Sequence, residues 1–175
     1  MAYNYLIAKT DFAEIRDISA NVDFDKRIKP YVREAQEFDI RPILGAEMFY
    51  DLLANSTEDN YTALLDGLDY TYADVNYSFV GLKTIIAYYT YARFIPHDNV
   101  RSTPSGMMGK TNEFSDRISK SEIESIVNQN QSAAYAYLED MICFLDRKVS
   151  DYPKWNTTYK SEVKRKVNFS TIKKQ

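Results

Sequence analysis

The segment Tyr77–Ile95 constrains this chain more than any other. It is apolar nearly all round, with only a thin polar stripe through Lys83 and Thr90. A helix of that kind must be covered on most sides, so the pattern predicts the central helix of a helical domain, stopped by Pro96. Lys83, Thr84, Thr90 and Arg93 interrupt it, whereas a membrane span needs about 20 consecutive apolar residues. No membrane partner is expected.

The other segments are built to surround such a helix. Phe12, Ile15 and Ile18 recur at helical spacing behind Thr10 or Asp11 as N-cap, and Asn21-Val-Asp23 reads as a turn. Ile28, Tyr31, Val32, Ala35 and Phe38 form the stripe of a second helix running to about Asp39. Pro30 sets its start near Arg27–Lys29 or kinks it there. Asp39-Ile-Arg-Pro42 is a second start signal, followed by Leu44, Met48, Phe49, Leu52 and Leu53 at i/i+4 spacing. Asn55-Ser-Thr ends that helix and can cap the next, which carries Tyr61, Leu64, Leu65 and Leu68 and ends at Gly67. Residues 69–76 read as a loop.

Residues 97–118 hold turn formers around isolated apolar residues, and predict a short β-hairpin or a looped excursion. Ser119-Lys-Ser-Glu122 is a capping box that opens the longest helix, with Ile123, Val127, Ala134, Tyr137, Met141 and Leu145 in period to about Arg147. Asp151-Tyr-Pro153 ends the compact part. The fold class is all-α: a helical bundle with a central buried helix, a loop or short β-hairpin insertion and a basic C-terminal tail. Residues 1–155 form the domain and 156–175 the tail.

Composition matters at the surface. The chain of 175 residues has the size of one domain, and it carries 15 Tyr and nine Phe. Tyrosine suits half-buried positions and interfaces. Net charge is −3 overall. The tail holds six basic residues against one acid, Glu162, which leaves −8 for residues 1–155. An acidic body argues against general nucleic-acid binding by the domain. The tail is a solvated end, a segment that folds onto an acidic neighbour, or a phosphate contact. No secretory signal opens the chain, which points to a reducing cytoplasm or a particle assembled there.

The motifs for chemistry are nearly all missing. One cysteine, Cys143, excludes an internal disulfide and sits in an apolar run where a small buried side chain is expected. The single histidine, His97, has nothing in the sequence that ties it to Cys143 as a nucleophile's base. Gly106-Met-Met-Gly109-Lys110-Thr111 imitates the end of a phosphate loop, but only two residues separate the two glycines where four are required. No zinc or calcium pattern occurs, and adjacent acids such as Glu139 and Asp140 diverge on a helix. The reading is therefore no enzyme, no cofactor, no metal.

A resemblance adds to this. Phe38-Asp-Ile-Arg-Pro-Ile-Leu-Gly45, Met48-Phe-Tyr-Asp-Leu-Leu53, Tyr61-Thr-Ala-Leu-Leu65 and the segment Phe79–Phe94 resemble small helical proteins from the head and neck genes of tailed phages of Bacteroidetes, crAss-like phages included. Gly106–Thr111, Ala133–Tyr137 and Tyr152-Pro-Lys-Trp155 fit as well. The likeness spans roughly residues 10–155. Gly45 and Gly81 suit close helix contacts.

The resemblance implies a head–tail connector, or adaptor: a virion structural protein forming a homo-oligomeric ring, a dodecamer by likeness, beneath the portal. Its partners would be the portal protein, the next neck or tail protein, and genomic DNA passing through the channel without specific binding. Localisation would be the virion, with assembly in the host cytoplasm. The candidate partner contacts are Met107, Met108 and Lys110 in the 97–118 segment, and Lys160, Lys164, Arg165, Lys166 and Phe169 in the tail. The alternatives are a tail-completion or stopper protein of the neck, and a DNA-binding protein using the tail.

Overall fold

The computed structural model describes residues 3–18, 22–98, 100–103, 106–109 and 119–155, with 100–103 and 106–109 described by their backbone. The helices are α1 (Lys9–Ile15), α2 (Lys29–Glu34), α3 (Arg41–Leu44), α4 (Ala46–Ala54), α5 (Asp59–Asp66), α6 (Leu82–Phe94) and α7 (Lys120–Arg147). Two antiparallel hairpins interrupt them, β1 (Leu68–Tyr72) with β2 (Val75–Phe79), and β3 (Val100–Thr103) with β4 (Gly106–Gly109). The chain is thus mostly helical, with two small sheets.

Helix α6 touches α1, α2, α5 and α7. Leu82, Ile85, Ile86, Ala87, Thr90, Ala92 and Phe94 on it are all buried. Thr90, expected on a polar stripe, is fully buried and its hydroxyl has no hydrogen-bond partner among the described residues. Lys83 keeps its charge by reaching Asp11 at 3.3 Å and Asp66 at 2.7 Å, which ties α1 and the end of α5 to α6. The direction of α7 against α6 follows from ring contacts: Phe144 stacks on Phe79 at 4.7 Å, and Tyr137 meets Tyr88 at 5.5 Å. The two helices are antiparallel. Since α7 has 28 residues and α6 has 13, at 1.5 Å per residue the first turns of α7 run past the end of α6.

The start of the domain differs from the expectation. Helix α1 begins at Lys9, and Asp11 stands at its third position, where its carboxylate accepts from the Ala8 N–H at 2.8 Å. Ahead of it, Leu6 and Ile7 are buried, held by Gln36. The fully buried Gln36 amide accepts from the Leu6 N–H at 3.0 Å and donates to the Asn4 carbonyl at 3.3 Å and the Tyr3 hydroxyl at 3.2 Å.

Neither proline breaks the helical path between 24 and 44. Each is preceded by a widened π-helical turn, Phe24–Ile28 before Lys29-Pro30 and Ala35–Ile40 before Arg41-Pro42. The residue ahead of each proline donates five residues back, Lys29 to the Phe24 carbonyl and Arg41 to the Gln36 carbonyl. The extra residue per turn makes room for the ring, which would otherwise strike the carbonyl four residues back. Gly45, at φ 79°, then separates α3 from α4. The cap of α5 falls on Glu58 and not on Asn55-Ser-Thr.

Residues 69–76, read as a loop, are most of the β1–β2 hairpin, so α6 starts at Leu82 and not Tyr77. At its root, Gly67 and Gly81 sit backbone to backbone at φ 86° and 88°. A Cβ on Gly81 would lie 2.5 Å from the Leu65 carbonyl, and one on Gly67 would strike the Phe79 carbonyl. The close approach expected of Gly81 is therefore between chain segments at a hairpin base.

Candidate functional site

Among the described residues no group of three or more His, Cys, Asp or Glu is placed to hold a metal ion, and no helix is long and apolar enough to cross a membrane. His97 stacks on Tyr31 at 5.6 Å, at the end of α6 opposite the Phe79–Phe144 contact. Cys143 is exposed, which corrects the expectation of a buried thiol. Met141, Phe144 and Leu145 take the inward positions of that turn, and the helical period turns Cys143 outward. It neighbours Phe144, so Cys143 and His97 lie at opposite ends of α6 and form no pair.

The phosphate-loop look-alike is a strand. Gly106–Gly109 pair with Val100–Thr103, Met107 opposite Ser102 and Met108 opposite Arg101. The insertion at 97–118 thus contains the short hairpin named as one of its two forms. Lys110, Lys160, Lys164, Arg165, Lys166 and Phe169 lie outside the described residues, as does the tail after Trp155.

What the fold does assemble is a set of aromatic and arginine surfaces. The hairpin β1–β2 turns one face to α7: the rungs Leu68/Phe79 and Tyr70/Tyr77 lie on it, with Tyr70 and Phe79 buried against Phe144. The last rung of that face, Tyr72/Val75, is left open, with Tyr72 48% and Val75 50% exposed. Arg147 from the end of α7 lies 3.8 Å over the Tyr77 ring and 5.1 Å from Tyr72, and donates to the Tyr70 hydroxyl at 2.8 Å. A second open patch is helical: Phe38 is 62% and Tyr50 53% exposed, and Arg41 donates to the Tyr50 hydroxyl at 3.3 Å while pairing with Glu37 at 2.9 Å.

A third surface lies at the end of α1. Arg16 lies over Tyr88, its Cζ 3.4 Å from the ring centre and 5.6 Å from that of Tyr91. Its Nε is buried without a hydrogen-bond partner among the described residues. Arg93, by contrast, is matched: it grips Asp39 through two bonds of 2.9 Å and reaches Glu34 at 3.7 Å. Burial pushes the neighbouring Tyr89 hydroxyl up to about 12.

The segment after α7 is clasped to the body. Tyr152 and Trp155 are buried, so the compact part runs past Pro153. The Tyr152 hydroxyl donates to the Asn60 carbonyl at 2.6 Å, and the Trp155 Nε1 donates to Asp146 at 2.8 Å. Lys154 pairs with Asp51 at 2.7 Å, and Asp51 also accepts from the Tyr61 hydroxyl and from Asn55 at 2.9 Å. The lysine ammonium first, then the Tyr61 hydroxyl, hold the Asp51 carboxyl below the usual carboxylate range.

Sequence reasoning placed the contact residues in the insertion and tail, and missed the arginine–tyrosine stacks. The wealth of tyrosine was the available signal; which arginine meets which ring is a tertiary fact. No curated protein and no solved structure matches the chain. A model of a family of unknown function, DUF6712, matches residues 40–165, from the end of the π turn before Pro42 through α7 and the clasp. That is well over half of the sequence, and the chain belongs to the DUF6712 family.

Proposed function

We propose that the chain is a structural virion subunit, a head–tail connector that assembles as a ring beneath a portal and joins capsid to tail around the passage for DNA. The observation that carries this reading is the separation of its open apolar surfaces. Phe38 and Tyr50 lie on helices, while Tyr72 and Val75 lie at a hairpin tip on other elements. A ring subunit buries two different side surfaces, one against each neighbour, and exposed aromatics suit that burial. The likeness to phage neck proteins supplies the portal, the next neck component and the twelve-fold order. The hairpin β3–β4 with Met107 and Met108, and the tail with Lys160, Lys164, Arg165, Lys166 and Phe169, serve as axial contacts. The acidic body lets DNA pass without being gripped.

The test is to express the protein with its portal and image the purified mixture by electron microscopy. The expected result is a closed ring on one face of the portal. A protein that stays monomeric beside the portal at high concentration would count against the reading. Tight duplex binding with a steep loss on added salt would instead favour a DNA-binding role for the tail.

A further inference from the structure

We propose that the tip of the β1–β2 hairpin docks onto Arg16 of a second copy of this chain, with Asp74 as the carboxylate that Arg16 lacks among the described residues of its own. The proposal deepens the ring reading and rests on it, with Arg16 and its tyrosines, in place of the Phe38–Tyr50 patch, as the side surface that the tip meets.

Among the described residues, Asp74 and Arg16 each stand without an oppositely charged partner. On the donor side, the apolar face of the hairpin continues one rung past its cover, leaving Tyr72 and Val75 open. Between them the chain turns through Ala73 and Asp74, at φ 49° and 62°. Two left-handed residues make the tight turn that a two-residue hairpin requires, usually supplied by Asn-Gly. Ala73 thus stands where an L residue other than Asn or Asp seldom goes. The turn presents an exposed carboxylate, with no ion pair among the described residues, between two open apolar side chains.

On the receiving side, Arg16 has no carboxylate among the described residues, and its buried Nε is unsatisfied. The Arg16 Cζ lies 3.4 Å from the Tyr88 ring centre, and its two terminal nitrogens make the edge that points away from the buried Nε. That edge is the fork that binds a carboxylate through two charge-assisted bonds. Tyr88 and Tyr137, edge to face at 5.5 Å, make an aromatic floor beside it on which Tyr72 and Val75 can settle.

One copy cannot close this contact on itself. Moving outward along the hairpin, ring contacts advance from Phe144 to Arg147 on α7, away from Tyr137. Tyr137 and Arg147 are ten residues apart on one helix, about 15 Å, and the tip lies farther out. The two halves therefore meet only between copies, head to tail, and such a contact generates a ring or a filament.

The test uses the full chain and sedimentation velocity over a range of concentrations. Asp74→Arg and Arg16→Glu should each move association to at least about tenfold higher concentration, and the double exchange should restore it. Arg16→Lys, which keeps the charge and loses the fork, should weaken association to an intermediate degree. Circular dichroism melts check that each variant folds. For weak association, Ala13→Cys and Ala73→Cys proteins in a Cys143→Ser background are mixed and oxidised at millimolar concentration; a mixed disulfide dimer is expected. Single exchanges that associate like the parent, a double exchange that restores nothing, or no mixed dimer would each overturn the contact. Portal-bound rings that survive both single exchanges sink the contact and leave the connector reading standing. Reciprocal rescue in an assembly that ignores the portal sustains the contact and removes the connector reading.

Discussion

At Gly67 and Gly81 two chain segments meet backbone to backbone, and neither glycine has room for a methyl group. Gly81→Ala adds the left-handed strain of an L residue to a clash with the Leu65 carbonyl, and neither partner atom is a flexible side chain. The expected loss is at least about 3 kcal/mol, read as a fall in urea midpoint with unchanged slope. Asp51 makes a different prediction, set by pH. Its carboxyl is held below the usual range by Lys154 and then Tyr61, so the folded state favours its ionised form. A depressed native pKa contributes stability in full above the unfolded carboxylate value, about 3.9. That contribution is lost as pH falls through the native value. Asp51→Asn should therefore melt lower than the parent at pH 6, and the gap should close below about pH 4. A gap that stays constant across that window would mean that Asp51 acts through packing alone.

At the scale of elements, legibility tracked how local the signal was. The capping box at Ser119 and Glu122 formed, with the Ser119 N–H donating to Glu122 at 2.8 Å, because both partners are three residues apart. Helix α6 was readable from its apolar girth, but its start was not. Tyr77 and Phe79 look like two more apolar helical residues, yet they alternate with Asn76 and Ser78 at the strand period. The turn at Ala73-Asp74 offered no glycine to mark a hairpin. The prolines were read as helix boundaries because a proline ring strikes the carbonyl four residues back in a regular α-helix, and the widened turns that spare it are a backbone feature. The clasp after α7 was also missed: Asp151-Tyr-Pro looked like an ending, but Tyr152 packs back onto Asn60 and Tyr61, its bond to Asn60 spanning a separation of 92, and Trp155 is buried with its Nε1 on Asp146. Trp155→Ala should cost about 3–5 kcal/mol by the usual cost of removing a buried aromatic. A change under about 1 kcal/mol in chemical denaturation would place Trp155 outside the cooperative unit.

For the whole molecule, the question is whether exposed aromatics are leftovers or contacts, because single exposed apolar residues are ordinary. Folding stability and assembly separate the two. Phe38 and Tyr50 are more than half exposed, so their burial contributes little to the fold of one copy. Phe38→Ser with Tyr50→Ser should shift the thermal midpoint of the isolated chain by only a degree or two, since surface changes stay within about 0.5 kcal/mol. If this patch is one side of a ring contact, the same pair of changes removes about 1.5–3 kcal/mol per fully covered aromatic at every interface. A closed ring repeats that loss once per neighbour, so assembly on a portal should disappear while the monomer melts almost unchanged. Pairing the two measurements on one preparation decides it. Equal loss in both places Phe38 and Tyr50 in the fold. An assembly that forms as before makes the helical patch bystander surface and leaves the hairpin tip and Arg16 as the side contacts to be tried next.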